Sequence, residues 1–283
     1  MIVKNYLSLV KFSHTIFAMP FAIIGFFFAT WHEGHPFYLR EFILVIACMV
    51  FARSAAMGFN RLVDSDIDKK NPRTTGRELP AGIISKRSAL LFVLFCCGGF
   101  MISAWNINSL CFMLSPVALA VILGYSYTKR FTSFSHFILG LGLSLAPVGS
   151  YLAVTGTFSL LPVLFGAAVL CWVSGFDIIY ALQDESFDRE QHLHSVPVSI
   201  GKKNALLLSS IVHILCISCL VAIGVLGAMG IWYWIGVGFF IALLIYQHSL
   251  VKPNDLSKVN VAFFTTNGLA SVIFSVFTLI DFF

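Results

Sequence analysis

Apolar segments of about twenty residues recur nine times in this 283-residue chain, near 12–31, 41–61, 88–106, 109–127, 135–154, 159–182, 203–227, 231–249 and 260–280. Wound as α-helix at 1.5 Å per residue, each is long enough to cross a hydrocarbon layer of about 30 Å. Inside that layer no water is available to backbone polar groups, so a spanning segment bonds them internally, as a helix or in a closed barrel. Barrel strands alternate apolar and polar positions over about ten residues, whereas these segments stay predominantly apolar for about twenty. Only 11% of residues are charged and 58% are hydrophobic, against roughly 25% charged in a soluble domain. Prolines 20, 116, 147 and 162 lie inside the runs and are compatible with membrane helices, where neighbouring groups satisfy the freed carbonyls. The sequence predicts an all-α, polytopic membrane protein of nine transmembrane helices, a single integral-membrane domain over 1–283. A soluble globular or disordered chain is excluded.

The connections carry the charge. Taking the N-terminal side as "in", that side holds Lys4, Lys11, Arg61, Lys69, Lys70, Arg73, Arg77, Lys86, Arg87, Lys129, Arg130, Arg189, Lys202, Lys203, Lys252 and Lys258. The opposite side holds only Arg40, and Arg53 lies within the second run. Lys and Arg gather in cytoplasmic loops, so the N-terminus is expected in the cytoplasm and the C-terminus outside, across a bacterial inner membrane. Basic residues confined to short loops argue against nucleic acid as a partner. The Phe-rich stretch after Lys11 has no small-residue cleavage site and reads as an uncleaved first helix. All seven cysteines fall in apolar runs and read as small core residues. His192 and His194 read as a solvated loop pair.

Acid is not needed for topology, yet it concentrates in two inner loops, about 62–87 and 184–202. The first cluster is Asn60-x3-Asp64-x3-Asp68. If the second helix continues past the bilayer edge, these oxygen-bearing side chains share a face, and Arg53, seven residues earlier, shares it too; Asp66 points away. The second cluster is Asp177, Asp184 and Asp188, which fall within about 40° of one another on a continuous helix. Asp177 also sits inside an apolar run, where an ionisable residue is a functional hypothesis by default. Oxygen donors at this spacing suit Mg²⁺, which takes one or two carboxylates and completes its shell with phosphate oxygens. Two acidic faces at one membrane surface suggest a two-sided clamp on a diphosphate, with Arg73, Arg77, Lys129 and Arg130 as cations for its oxygens.

Several local patterns occur together: the two Asp-rich motifs, Arg73-Thr74 followed by Arg77-Glu-Leu79-Pro-Ala-Gly82, Tyr125-Ser-Tyr-Thr-Lys129-Arg130, and Phe176-Asp177-x-x-Tyr180-Ala181-x-x-Asp184. In this combination, over nearly the whole chain, the sequence resembles the UbiA-type aromatic prenyltransferases, typified by the 4-hydroxybenzoate polyprenyltransferases of quinone biosynthesis. The resemblance implies a helical bundle around a central cavity open near the cytoplasmic face. It implies Mg²⁺ held by Asn60, Asp64, Asp68, Asp184 and Asp188, and Lys129 at the diphosphate. Asp177 is implied beside the aromatic acceptor, and Tyr180, Arg53 and Lys11 among the substrate-binding residues. Two positions depart from the family pattern: Arg61 stands where many members have Asp, and Glu78 where many have Pro.

The expected reaction is Mg²⁺-dependent transfer of a polyprenyl group from polyprenyl diphosphate to an aromatic acid in ubiquinone or menaquinone biosynthesis. The acceptor is 4-hydroxybenzoate-like or naphthoate-like. Cations at the leaving diphosphate stabilise charge as it develops, and a dry cavity keeps water from the allylic cation. Asp177 lies seven residues before Asp184, roughly 10 Å deeper along a helix axis, which suits the acceptor better than the metal. Two other classes fit the sequence less well. A polytopic transporter would place its ionisable residues near the bilayer midplane, in broken helices, whereas these acids lie at one surface. A CDP-alcohol phosphotransferase would need a dense Asp-Gly…Ala-Arg…Gly…Asp…Asp motif, which the chain lacks.

Overall fold

The structure, a computed structural model, describes residues 2–10 and 18–283, with side chains from residue 5 onward. Lys11, expected in the substrate set, lies outside the described residues, as does the start of the first apolar run.

Among the described residues the architecture is helical, with no strand beyond one bridge between Lys252 and Asp255. The elements in chain order are α1 (Ile2–Leu9), α2 (Met19–Phe27, extended by a wide turn over Phe28–His32), α3 (Leu39–Asp68), α4 (Lys86–Ile107), α5 (Ser109–Thr128) and α6 (Ser135–Thr155). They continue with α7 (Leu160–Ala181), α8 (Glu185–Glu190), α9 (Val196–Leu226), α10 (Ile231–Leu250) and α11 (Asn267–Phe282). Among the described residues eight spans are long and apolar enough to cross a membrane, and the shorter apolar stretch Met19–His32 stands where the first run was expected. All seven cysteines are free.

The helix ends follow local chemistry. Ser85 caps α4, its Oγ accepting from the Ser88 amide at 3.1 Å. Asn108 alone separates α4 from α5, and its Oδ1 accepts from the Cys111 amide at 2.8 Å, supplying one acceptor the first turn lacks. Helix α9 begins seven residues before the expected start at 203, and Gly201, at φ 78°, turns the chain within it.

Contacts group the chain into two compact units: Met1–Thr15 with Arg40–Tyr127, and Ile16–Leu39 with Thr128–Phe283. In the first, α3 packs on α4, and a Cβ at Gly58 or Gly99 would press on Val93 or Phe51. In the second, α7 is the central helix, packed against α6 and α9. Phe165, Trp172 and Val173 of α7 are fully buried, together with Phe21, Tyr233, Phe240 and Phe274.

A polar network crosses this apolar core. The segment Val261–Thr266 ahead of α11 is wound as a wide π-type turn, which misaligns carbonyls with their usual amide donors. Gln247 Nε2 donates to the Ala262 carbonyl at 2.7 Å, and Asn267 Nδ2 donates to that of Phe263 at 2.9 Å. Asn267 Oδ1 in turn accepts from Trp172 Nε1 and Gln247 Nε2, both at 3.1 Å. Asn267→Leu removes this hub and leaves Trp172 Nε1 and the Phe263 carbonyl without these bonds, while Gln247 keeps its bond to Ala262. The expected cost is about 3 kcal/mol, from one or two groups left unbonded. The thermal midpoint of the purified protein in detergent checks it, and an unchanged midpoint would contradict this account of the turn.

Candidate functional site

The first acidic motif lies on one unbroken helix. α3 runs 30 residues from Leu39 to Asp68, as the i, i+4 spacing requires. Asn60 Nδ2 donates to Asp64 Oδ2 at 3.0 Å, one turn apart. Asp68 is buried, and Arg77 Nη1 donates to both of its oxygens at 2.7 and 2.8 Å. That geometry depends on the loop. Thr74 Oγ1 donates to the Asp68 carbonyl at 3.0 Å, and Asn71 Oδ1 accepts from the Arg73 amide at 2.9 Å, so tight turns fold 69–85 back over the helix end. Asp66 is exposed and pairs with Lys86 Nζ at 3.0 Å. Arg53 and Arg61 are recessed in the same unit, each with a buried Nε that makes no hydrogen bond. Arg73 is exposed. At the far end of the loop, Glu78 is buried and accepts from Ser8 Oγ at 2.5 Å, which ties α1 to this segment.

The second motif departs from the continuous helix assumed in placing Asp177, Asp184 and Asp188 on one face. α7 ends at Ala181, Leu182–Asp184 forms a tighter 3₁₀ turn, and α8 begins at Glu185. The tighter winding resets the angular register, so a single helical wheel does not relate Asp177 to Asp188. Neither glycine nor proline marks the break, which explains why the sequence does not announce it. Asp184 and Asp188 are both buried. Lys129 Nζ lies 3.2 and 3.1 Å from the two oxygens of Asp188. The same residue holds the loop by its main chain, its carbonyl accepting from the His194 amide at 2.7 Å, while the Leu193 amide donates to the Asp188 carbonyl at 2.8 Å. Tyr180 lies against Phe263 with ring centroids 4.1 Å apart, so the wide turn ahead of α11 supplies its aromatic partner. Arg130, next to Lys129, is partly buried.

Asp177 is partly exposed, and His136 Nδ1 sits 2.7 Å from its Oδ2. The imidazole is almost wholly buried, and its Nε2 accepts from the Val196 amide at 3.3 Å. Sequence reasoning missed His136. The signal was present, since His136 is an ionisable residue in an apolar run, the property that singled out Asp177.

The donor chemistry fits Mg²⁺. Both motifs offer only oxygen, from carboxylates and one carboxamide. Among the described residues no three His, Cys, Asp or Glu side chains converge as a metal-holding group. Mg²⁺ takes one or two carboxylates and completes its shell with water and phosphate oxygens. Arg77 and Lys129, expected on phosphate oxygens, here neutralise Asp68 and Asp188.

The profile of the UbiA prenyltransferase family matches residues 18–269. A 4-hydroxybenzoate octaprenyltransferase of Nitrosomonas europaea is 31% identical over 237 residues, covering 82% of this chain and 80% of that protein. The Nitrosomonas eutropha protein of the same name is 32% identical over 239 residues, with 82% of each covered. Among solved structures, the apo form of a UbiA homologue from Aeropyrum pernix K1 superposes with a TM-score of 0.86 at 32% identity, over 96% of this chain and 98% of that one. A UbiA homologue from Archaeoglobus fulgidus, solved with DMAPP and Mg²⁺, shares the fold at a TM-score of 0.78 and 22% identity, over 98% and 99% of the two chains.

Proposed function

Because this chain belongs to the UbiA prenyltransferase family, we propose that it transfers a polyprenyl group from a polyprenyl diphosphate to a ring carbon of an aromatic acid such as 4-hydroxybenzoate, with Mg²⁺ as cofactor. The observation that carries the reading is the pairing of buried carboxylate with cation in each acidic motif, Asp68 with Arg77 and Asp188 with Lys129. A carboxylate and a cation held in contact are the two partners that a Mg²⁺-diphosphate needs, one for the metal and one for the phosphate oxygens.

In the first unit Asn60, Asp64 and Asp68 form the metal donor set, with Arg77 and Arg73 as cations for phosphate and Arg53 for substrate. In the second unit Asp184 and Asp188 are the donors, Lys129 and Arg130 the cations, and Tyr180 belongs to the substrate wall. When bound, Mg²⁺ supplies positive charge to the leaving diphosphate. Arg77 and Lys129, held beside those carboxylates, would be the cations within reach of the phosphate oxygens, where positive charge counts most as the allylic C–O bond breaks. The Tyr180 and Phe263 ring faces offer π density to an allylic cation. Asp177 orients the acceptor phenol. The experiment is a panel assay: membranes containing the protein, labelled polyprenyl diphosphate, Mg²⁺, and 4-hydroxybenzoate beside naphthoate-type acceptors. Label in no aromatic product would defeat the reading.

The protein is an integral membrane protein, and we place its N-terminus in the cytoplasm of a bacterial cell, on the strength of the one-sided basic loops. A reporter inserted near Gly76 is expected to be cytoplasmic, and one fused after Phe283 extracytoplasmic. Both on one side would overturn this topology.

A further inference from the structure

We propose that His136 is the positioning residue for Asp177, fixing that carboxylate toward the phenol of the aromatic acceptor; the role rests on the function proposed above. The argument begins with hydrogen-bond bookkeeping. A backbone amide can only donate, so the Val196 N–H at 3.3 Å requires a lone pair on His136 Nε2. The imidazole proton then belongs on Nδ1, which faces Asp177 Oδ2 at 2.7 Å. His136 therefore donates to Asp177 with its tautomer set by the second bond. The histidine side chain is 2% exposed and that of Asp177 23%. One carboxylate oxygen is tied to a buried, immobile donor, and Oδ1 is left to meet a ligand.

Packing holds the imidazole in place. Gly140 lets α6 approach α7 so closely that a Cβ there would lie 2.6 Å from the Leu170 carbonyl oxygen and 2.5 Å from Ser174 Oγ. One turn before Gly140 comes His136, and one turn after Ser174 comes Asp177. Ser174 Oγ also donates to the His136 carbonyl at 3.3 Å. Val196 opens α9, eight residues after Asp188, so the same ring joins Asp177 to the chain that follows the second acidic motif. A freely rotating Asp177 would sample several rotamers beside the phenol; the bond to Nδ1 selects one.

Two substitutions separate positioning from mere packing. His136→Ala removes both bonds. His136→Asn keeps an N–H donor at the place of Nδ1 and gives up the acceptor facing Val196. If His136 positions Asp177, His136→Ala lowers kcat/KM for the acceptor by about a hundredfold, the scale of a 1 Å misplacement. Equilibrium binding of a non-reactive prenyl diphosphate analogue then stays within about twofold, while His136→Asn recovers most of the loss. ¹⁵N imidazole shifts in the wild type are expected to show a protonated Nδ1 and a bare Nε2. An acceptor kcat/KM in His136→Ala close to wild type overturns the role. So does a His136→Asn variant that binds the analogue normally but is no better than His136→Ala, or a proton found on Nε2. Wild-type protein that prenylates no phenol removes the functional reading and this role with it; wild-type turnover with an indifferent His136→Ala removes the role alone.

Discussion

Asp188→Asn is expected to lower kcat for prenyl transfer by about a thousandfold, at the upper end of what one preorganised charge-stabilising group is worth. The amide keeps the shape of the side chain and removes its charge. Asp188 is almost wholly buried, with Lys129 Nζ within 3.2 Å of both oxygens. The substitution therefore takes away the proposed metal donor and leaves the partly exposed Lys129 ammonium without its counter-charge. The loss should deepen at limiting Mg²⁺, and Lys129→Met in the same chain should cost far less than in the wild type, because the pair acts as a unit. Asp66→Asn is the contrast: Asp66 is exposed, it pairs with the solvated Lys86, and such surface pairs contribute little. Turnover against Mg²⁺ concentration in lipid nanodiscs makes the measurement. Asp188→Asn above a tenth of wild-type activity at limiting metal would remove Asp188 from the metal set.

Gly140→Leu is expected to prevent accumulation of a monodisperse protein. The first added carbon already collides with a backbone carbonyl of α7, and a backbone atom in a packed helix cannot rotate away. Overpacking of this kind costs about 3 kcal/mol, and here it also drives His136 away from Asp177. Gly98→Leu is the control, since a Cβ at Gly98 meets nothing within 4 Å. Size-exclusion profiles before and after a heating step compare the two. Equal survival would mean that α6 and α7 have room to part.

What the sequence revealed and what it hid divide along physical lines. The first acidic motif was legible because α3 is a plain helix through Asp68, and on a helix spacing is geometry. Eight of the nine apolar runs were legible as spanning helices because length and hydropathy suffice. The break at Leu182–Asp184 was hidden, since no residue there forbids an α-helix. The pairs Lys129–Asp188 and His136–Asp177 were hidden for another reason. They join residues 59 and 41 positions apart, and no local pattern encodes which side chains meet across helices. Asp177 stands out in the sequence because an acid in an apolar run is conspicuous, whereas a histidine in such a run is neutral in one of its ordinary states and stands out less.

The unbroken course of α3 has a consequence for the lipid around it. At 1.5 Å per residue its 30 residues span about 45 Å, half as long again as the hydrocarbon layer. Counted from Phe42, about twenty residues cross that layer, so Asn60 lies at its edge and Asp64 and Asp68 extend beyond it. On the function proposed above, a donor whose diphosphate rests among headgroups and whose tail runs into hydrocarbon would meet these carboxylates at its own depth. Acyl-chain length sets how far α3 protrudes, so membrane thickness becomes a tuning variable for turnover: thicker bilayers draw the carboxylates inward, and thinner ones push them beyond the plane where the substrate floats.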